Sequence, residues 1–382
     1  MRVAVMMRAM DKEAGFRALT EGLVSTMLEL APDDTFILIH QSDKWLSRFA
    51  RYPNARPVLA PVRSNFLWDQ IAVPWIAWKE HADVITNPKF FVPFIASCPV
   101  TMGVQEPSWF TRPEEYGTAD RIYQRIMIPK SIRRSAHVFP NSRFILEENR
   151  RILRMPIEHA TIQYSAAGPE FQPIRDVARL EAFRRKLDLP QPFILVMTRV
   201  IHPGMKTTEF FPGKSPEIAY RAFARIRDQI PHHIVFAGHR VKEYLAHTEG
   251  ARLNTDKVKF IEFIPYEEIN LAYSLADIFV NPCAYEGCPN TVLQAMACGA
   301  PMVVADAGGS ADVAEGAAMM ARSMDDADFA AKILALAQDP ALRKEHGARS
   351  LARSKDFTWE KTASATLTAL RSVVARRTHR AA

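Results

Sequence analysis

The chain has 382 residues, enough for two domains of ordinary size, and its share of apolar and charged residues is that of a globular protein. No run approaches the roughly 18 apolar residues that a spanning helix needs, which argues against an integral helical membrane protein. The formal net charge of +7 is concentrated in a few stretches, which directs attention to anionic partners.

The N-terminus, MRVAVMMRAM, carries Arg2 and Arg8 with no long apolar run between them, and reads as a first buried strand rather than a signal peptide. Short apolar runs then alternate with longer amphipathic ones. In the first half, strands are predicted over Val3–Met7, Phe36–His40, Asp83–Thr86, Val100–Gln105, His137–Pro140 and Ala160–Tyr164. Helical periodicity covers Lys12–Leu30, Trp68–Lys79 and Ala119–Arg134. In the second half, strands are predicted over Phe193–Thr198, His233–Ala237, Val258–Phe263, Ile278–Asn281 and Met302–Ala305. Helices are predicted over Glu217–Gln229, Glu267–Leu275 and Thr291–Cys298. This alternation predicts an α/β fold with two doubly wound, Rossmann-like parallel sheets. Periodicity stops at SAAGPEFQPIRD, residues 165–176, where Gly168, Pro169 and Pro173 punctuate the chain. The domains are therefore expected to be residues 1–168 and 169–357.

Residues 121–154 carry nine Lys/Arg against Glu147 and Glu148. Two accounts of this patch stand: a solvated helical surface, or a face that meets an anionic membrane. No nucleic-acid-binding module accompanies it, so no nucleic-acid partner is expected. The cysteines Cys98, Cys283, Cys288 and Cys298 form no CxxC pair and have no histidine at ligand spacing, so no metal site is expected. Free cysteines without an export signal point to the cytoplasm.

The most informative stretch is YEGCPNTVLQAMACGAP, residues 285–301, which follows the apolar run IFVNP. Glu286 is followed by Gly287, Cys288, Pro289, Asn290 and Thr291, where a helix starts. Free backbone N–H groups at such a start suit a diphosphate. Gln294, eight residues beyond Glu286, lies about two turns along on nearly the same face. A second stretch, residues 198–226, follows the strand FILVMTR with Arg199 and then Lys206 and Lys214. Gly213-Lys214-Ser215 resembles the end of a P-loop, but Thr208 stands where that loop needs glycine.

The 285–301 block resembles the E-x7-E signature of the family 4 (group 1) retaining glycosyltransferases, which have the GT-B fold. In that family two Rossmann-like domains face each other across a cleft, the C-terminal one holding a nucleotide-sugar donor. The resemblance implies that Glu286 lies near the donor sugar and that Gln294, in place of the second glutamate, meets the ribose. It also implies that Arg199 and a lysine hold the diphosphate. Counting back from Ala222-Phe223 favours Lys214 over Lys206, with an inserted loop between Arg199 and the helix. Residues 66–110 resemble the family's first domain, and Gln105 stands where the family has a histidine that reaches the donor sugar. Gly15 matches a glycine facing acceptor and phosphate, or is a turn glycine. Gly308-Gly309 fits a loop beneath the donor. The segment FTWEKTASATLTAL, 357–370, resembles the helix that returns to the first domain, which would add 358–382 to it.

The resemblance thus implies a retaining, metal-independent hexosyltransferase with no cofactor beyond a GDP- or UDP-linked sugar, mannose being favoured. Its acceptor would be a saccharide or lipid-linked glycan of bacterial surface polysaccharide or lipopolysaccharide. The enzyme would be cytoplasmic, with peripheral contact to the inner membrane face. The alternative is a catalytically silent, sugar-nucleotide-binding scaffold, which Gln105 and Gln294 favour.

Overall fold

The computed structural model describes residues 1–382 except 12–14, 112, 114–116, 201–213 and 382, with backbone alone at 15, 16, 108, 119 and 378–381. Two compact units divide the chain: Met1–Ala166 with Thr358–Ala382, and Ala167–Phe357.

The first unit is built on six parallel strands: β1 (Arg2–Met6), β2 (Thr35–His40), β3 (Ala55–Leu59), β4 (Val84–Asn87), β5 (Val100–Val104) and β6 (His137–Pro140). Their order is β3-β2-β1-β4-β5-β6. Five of them are almost wholly buried, as parallel strands covered by helices on both faces must be. Trp68, Met102, Val104 and Ile128 fill one face. The other face is filled by Val24, Met27 and Phe36, with Leu367 and Leu370 from the returning helix Trp359–Ala381. That helix seats against Gly15–Leu30, where a Cβ on Gly22 would come 2.3 Å from the Trp359 ring.

One strand is unforeseen and one expected strand is not part of the sheet, each for a physical reason. β3 reads ARPVL, and its edge position leaves most of it exposed, so the apolar run that betrays a buried strand is missing. The stretch Ala160–Tyr164 runs beside β6 through one isolated bridge, Val138–Ala160, and the backbone bonds Thr161 N to Val138 O and Gln163 N to Pro140 O, without joining the six strands of the sheet.

The second unit repeats the plan with β7 (Phe193–Met197), β8 (His233–Ala237), β9 (Val258–Ile261), β10 (Ile278–Asn281), β11 (Met302–Asp306) and β12 (Met319–Arg322). The order β12-β11-β10-β7-β8-β9 is the same winding read from the other edge. In both units, therefore, the strand order reverses beside the first strand, at β1/β4 and at β7/β10. Ligands of open α/β sheets bind at the carboxyl end of such a switch point. β12, MMAR, is a short, half-covered edge and was not predicted. The helix expected from Thr291 begins at Asn290, and that expected over Glu217–Gln229 spans Pro216–Ile226.

Candidate active site

The loops leaving β7 and β10 flank the second unit's switch point. They carry Arg199 and Lys214 on one side and residues 282–289 on the other. Lys214 is half-buried two residues before the helix Pro216–Ile226, behind Ser215, whose φ of 47° turns the chain into that helix. Its Nζ lies 2.6 Å from Glu286 Oε1. The second carboxylate oxygen, Oε2, is buried with no hydrogen-bond partner among the described residues. A buried carboxylate oxygen without a donor is left with unused acceptor capacity. Lys206 lies outside the described residues, so its rivalry with Lys214 is not addressed by this geometry. Arg199 is exposed and makes no hydrogen bond or ion pair with another described residue.

Glycine contacts fix where Glu286 sits. Gly309 donates its N–H to Glu286 O at 2.7 Å. A Cβ on Gly309 would fall 1.7 Å from Gly287 O and 3.0 Å from Glu286 O, so only glycine allows the two backbones to touch. Gly308 before it has φ 56°. On the β7 side, a Cβ on Gly238 would fall 1.6 Å from Thr198 O, one residue before Arg199.

Residues Gly287, Cys288 and Pro289 lead into the helix Asn290–Ala297, whose first turn contains Asn290 and Thr291. Val292 and Leu293 donate back to Pro289 O, at 3.1 and 3.0 Å. Gln294 is half-buried on this helix, its Oε1 3.5 Å from the Tyr273 hydroxyl, which also lies 3.4 Å from Met197 Sδ. Burial, foremost, pushes the Tyr273 phenol far up, so it stays a hydrogen-bond donor. Burial likewise pushes the Cys283 thiol to about 12, with Lys214 opposing and Glu286 adding to the rise. That thiol is protonated at neutral pH and is no nucleophile. Sequence reasoning missed Tyr273 and Cys283, because a tyrosine and a cysteine in apolar surroundings carry no signal that separates them from core residues. Among the described residues no cluster of three or more His, Cys, Asp or Glu could hold a metal.

The first unit holds the remaining expected residues. Gln105 is buried directly after β5, its carbonyl accepting from Asn149 Nδ2 at 3.1 Å. Gly15 is the first residue of the helix Gly15–Leu30. At this unit's switch point, just past β1, Arg8 Nη2 pairs with the buried Asp69 Oδ2 at 3.1 Å. Burial raises the Asp69 carboxyl to about 6, against the pull of Arg8. Its Oδ1 has no partner among the described residues. No sequence signal distinguished this aspartate.

Each unit is thus a doubly wound parallel sheet, and the second carries a lysine–glutamate pair and a helix start at its switch point. Residues 205–339 match the family described as Glycosyl transferases group 1. The chain is 25% identical over 299 residues to the O-antigen chain mannosyltransferase B of Escherichia coli, covering 77% of this chain and 76% of that one. Among solved structures it is similar to a glycosyltransferase from Rickettsia africae, with a TM-score of 0.75 and 13% identity over 98% of both chains. It is also similar to Anabaena HepE in complex with UDP and glucose, with a TM-score of 0.69 and 17% identity over 97% of this chain and all of that one (100%). The structural likenesses establish a shared GT-B fold.

Proposed function

We propose that the chain is a retaining, metal-independent hexosyltransferase that uses a nucleotide-diphosphate sugar, GDP-mannose ahead of a UDP-hexose. The acceptor is a saccharide or lipid-linked glycan of bacterial surface polysaccharide or lipopolysaccharide. The observation that carries the reading is the 2.6 Å pair of Lys214 and Glu286 at the β7/β10 switch point. Likeness to an O-antigen mannosyltransferase supports mannose, and likeness to a protein solved with UDP and glucose supports the second choice.

Lys214 is engaged by Glu286. A bound diphosphate takes over the ammonium, joined by Arg199 and the N–H groups that open the helix at 287–291. These fixed positive groups stabilise the leaving diphosphate as the bond to the anomeric carbon breaks. Glu286, released from the lysine, faces the sugar and stabilises the positive charge it develops. The acceptor hydroxyl forms the new bond on the face the diphosphate leaves, and its proton passes to a diphosphate oxygen. Gln294, with Oε1 turned to Tyr273, keeps its amide N–H groups for a ribose hydroxyl.

No helix among the described residues is long and apolar enough to cross a membrane. The enzyme works in the cytoplasm, held reversibly at an anionic membrane by the basic face of the helix Thr118–Arg134. Met127, Ile128 and Ile132 of that helix pack into the core, while Ile122 and Ile126 remain exposed.

The test is a panel of nucleotide sugars assayed for turnover and binding, with and without excess chelator. Turnover of GDP-mannose undiminished by chelator is expected. Strict dependence on magnesium or manganese overturns metal independence. Binding of a nucleotide sugar with no turnover toward any glycan acceptor overturns the enzyme reading in favour of a silent scaffold, the role Gln105 and Gln294 would suit.

A further inference from the structure

The continuous helical run Asn65–Lys79 is apolar on two opposite sides. It comprises Asn65–Leu67, a π-helical turn Trp68–Ala72 and Val73–Lys79, and is capped by the Ser64 hydroxyl, which accepts from Leu67 N. Trp68, Val73, Ile76 and Ala77 are buried in the first unit's core. Leu67, Ile71, Trp75 and Trp78 are exposed at 45%, 60%, 56% and 63%. Their spacing of four, four and three residues makes a single stripe, about 16 Å long at 1.5 Å per residue. A helix that is apolar all round is normally buried all round. Here the outer stripe includes two tryptophans that face water.

Elements that carry other exposed apolar and basic groups are tied to this run. Gln70 accepts from Phe94 N through Oε1 at 2.9 Å and donates to Val92 O at 3.1 Å, and Arg134 Nε donates to Phe94 O at 2.8 Å. This loop ties the run to the helix Thr118–Arg134 and presents Ile95, 86% exposed. On that helix Ile122 and Ile126 are exposed in line with Lys130 and Arg133, and residues 121–134 contain no acid. Lys79 lies 5.3 Å from the centroid of the Trp75 ring, and Arg63 is exposed just before the run.

We infer that the Leu67–Ile71–Trp75–Trp78 stripe is an interfacial anchor that inserts its tryptophans into the headgroup–acyl boundary of an anionic bilayer. This deepens the membrane reading above and rests on it, but assigns the hold to a different element and a different force. Tryptophan favours that boundary because its ring is apolar and its N–H finds water or headgroup partners. A flat apolar stripe with a cationic border matches an anionic interface. A second copy of this chain fits poorly, because pairing through the same face would bring two cationic borders together, against charge complementarity. Basic residues act over a Debye length and give way to salt, whereas the inserted rings do not.

The test uses the full chain with vesicles of phosphatidylcholine alone or mixed with phosphatidylglycerol. Wild type is expected to bind the anionic vesicles with a blue shift in tryptophan emission, and to keep part of that binding when salt is raised. Trp75→Ala/Trp78→Ala should lose the blue shift and about tenfold of the salt-resistant partitioning. Its thermal midpoint and its turnover of donor with a soluble acceptor should match wild type, since both rings lie outside the core and the donor site. Lys130→Gln/Arg133→Gln should instead lose the salt-sensitive part and keep the blue shift. Salt-resistant partitioning unchanged in the tryptophan variant overturns the anchor, even if electrostatic docking stands. Concentration-dependent dimerisation of wild type that the tryptophan variant abolishes, without any vesicle binding, also overturns it in favour of self-association. Loss of turnover in every form would count against the transferase reading and leave the partitioning result intact.

Discussion

Gly309→Ala tests whether the Glu286 loop is set by a backbone contact. The added methyl group would lie 1.7 Å from Gly287 O. An ordinary contact there needs about 3.4 Å, so one of the two backbones must retreat by roughly 1.7 Å. Retreat of the 286–287 loop also lengthens the 2.7 Å hydrogen bond from Gly309 N to Glu286 O and shifts Glu286 against Lys214. A misplacement of about 1 Å at a reacting centre costs on the order of a hundredfold in rate. We therefore expect kcat/KM for transfer to fall about a hundredfold, with the circular dichroism spectrum retained. Gly117→Ala is the control, because Gly117 has φ −59° and nothing within 4 Å of the new Cβ. Near wild-type kcat/KM for folded Gly309→Ala would refute the reasoning, since the loop would then be free to give way without consequence.

Asp69 gives a pH prediction. Its carboxyl is raised from 3.8 to about 6 in the fold, so the folded protein binds the proton more tightly than the unfolded chain. Its contribution to stability is thus full below pH 3.8 and declines as pH rises through about 6, by about 3 kcal/mol in total at 1.36 kcal/mol per tenfold change. Denaturant titrations across that window should show Asp69→Asn gaining on wild type as pH rises, and parallel curves would contradict it. Gly22→Ala should destabilise the first unit by about 1–3 kcal/mol, because the methyl would meet the Trp359 ring of the returning helix. Unchanged thermal unfolding would show that the ring moves aside freely.

Much of the fold was legible because buried parallel strands are written as unbroken apolar runs. FILVM of β7 and IFVN of β10 show this, and each ends where the chain turns toward the candidate site. Edge strands escaped for the opposite reason: β3 and β12 are covered on too little of their surface to need apolar residues throughout. At the site, Glu286 was legible from its glycine turn and the helix behind it. Its bond to Lys214 was not, because that lysine follows an insertion that spacing could only bracket. The Arg8–Asp69 pair was invisible, since 61 residues separate partners that only the sheet winding brings together. The outward Trp75 and Trp78 were also hidden, because a π turn and two apolar sides read in sequence as one ordinary core helix.

The central claim is that Lys214 leaves Glu286 to hold the donor diphosphate. Calorimetric binding of GDP and UDP to wild type, Lys214→Ala and Glu286→Gln addresses it most directly, because binding is read apart from turnover. Lys214→Ala is expected to weaken the preferred nucleotide by about 1.5–3 kcal/mol, the worth of a hydrogen bond to a charged group. Glu286→Gln, which frees the lysine, is expected to bind as tightly as wild type or tighter while turnover collapses. Equal affinity in wild type and Lys214→Ala, or a Glu286→Gln variant that loses nucleotide binding along with activity, would contradict the account.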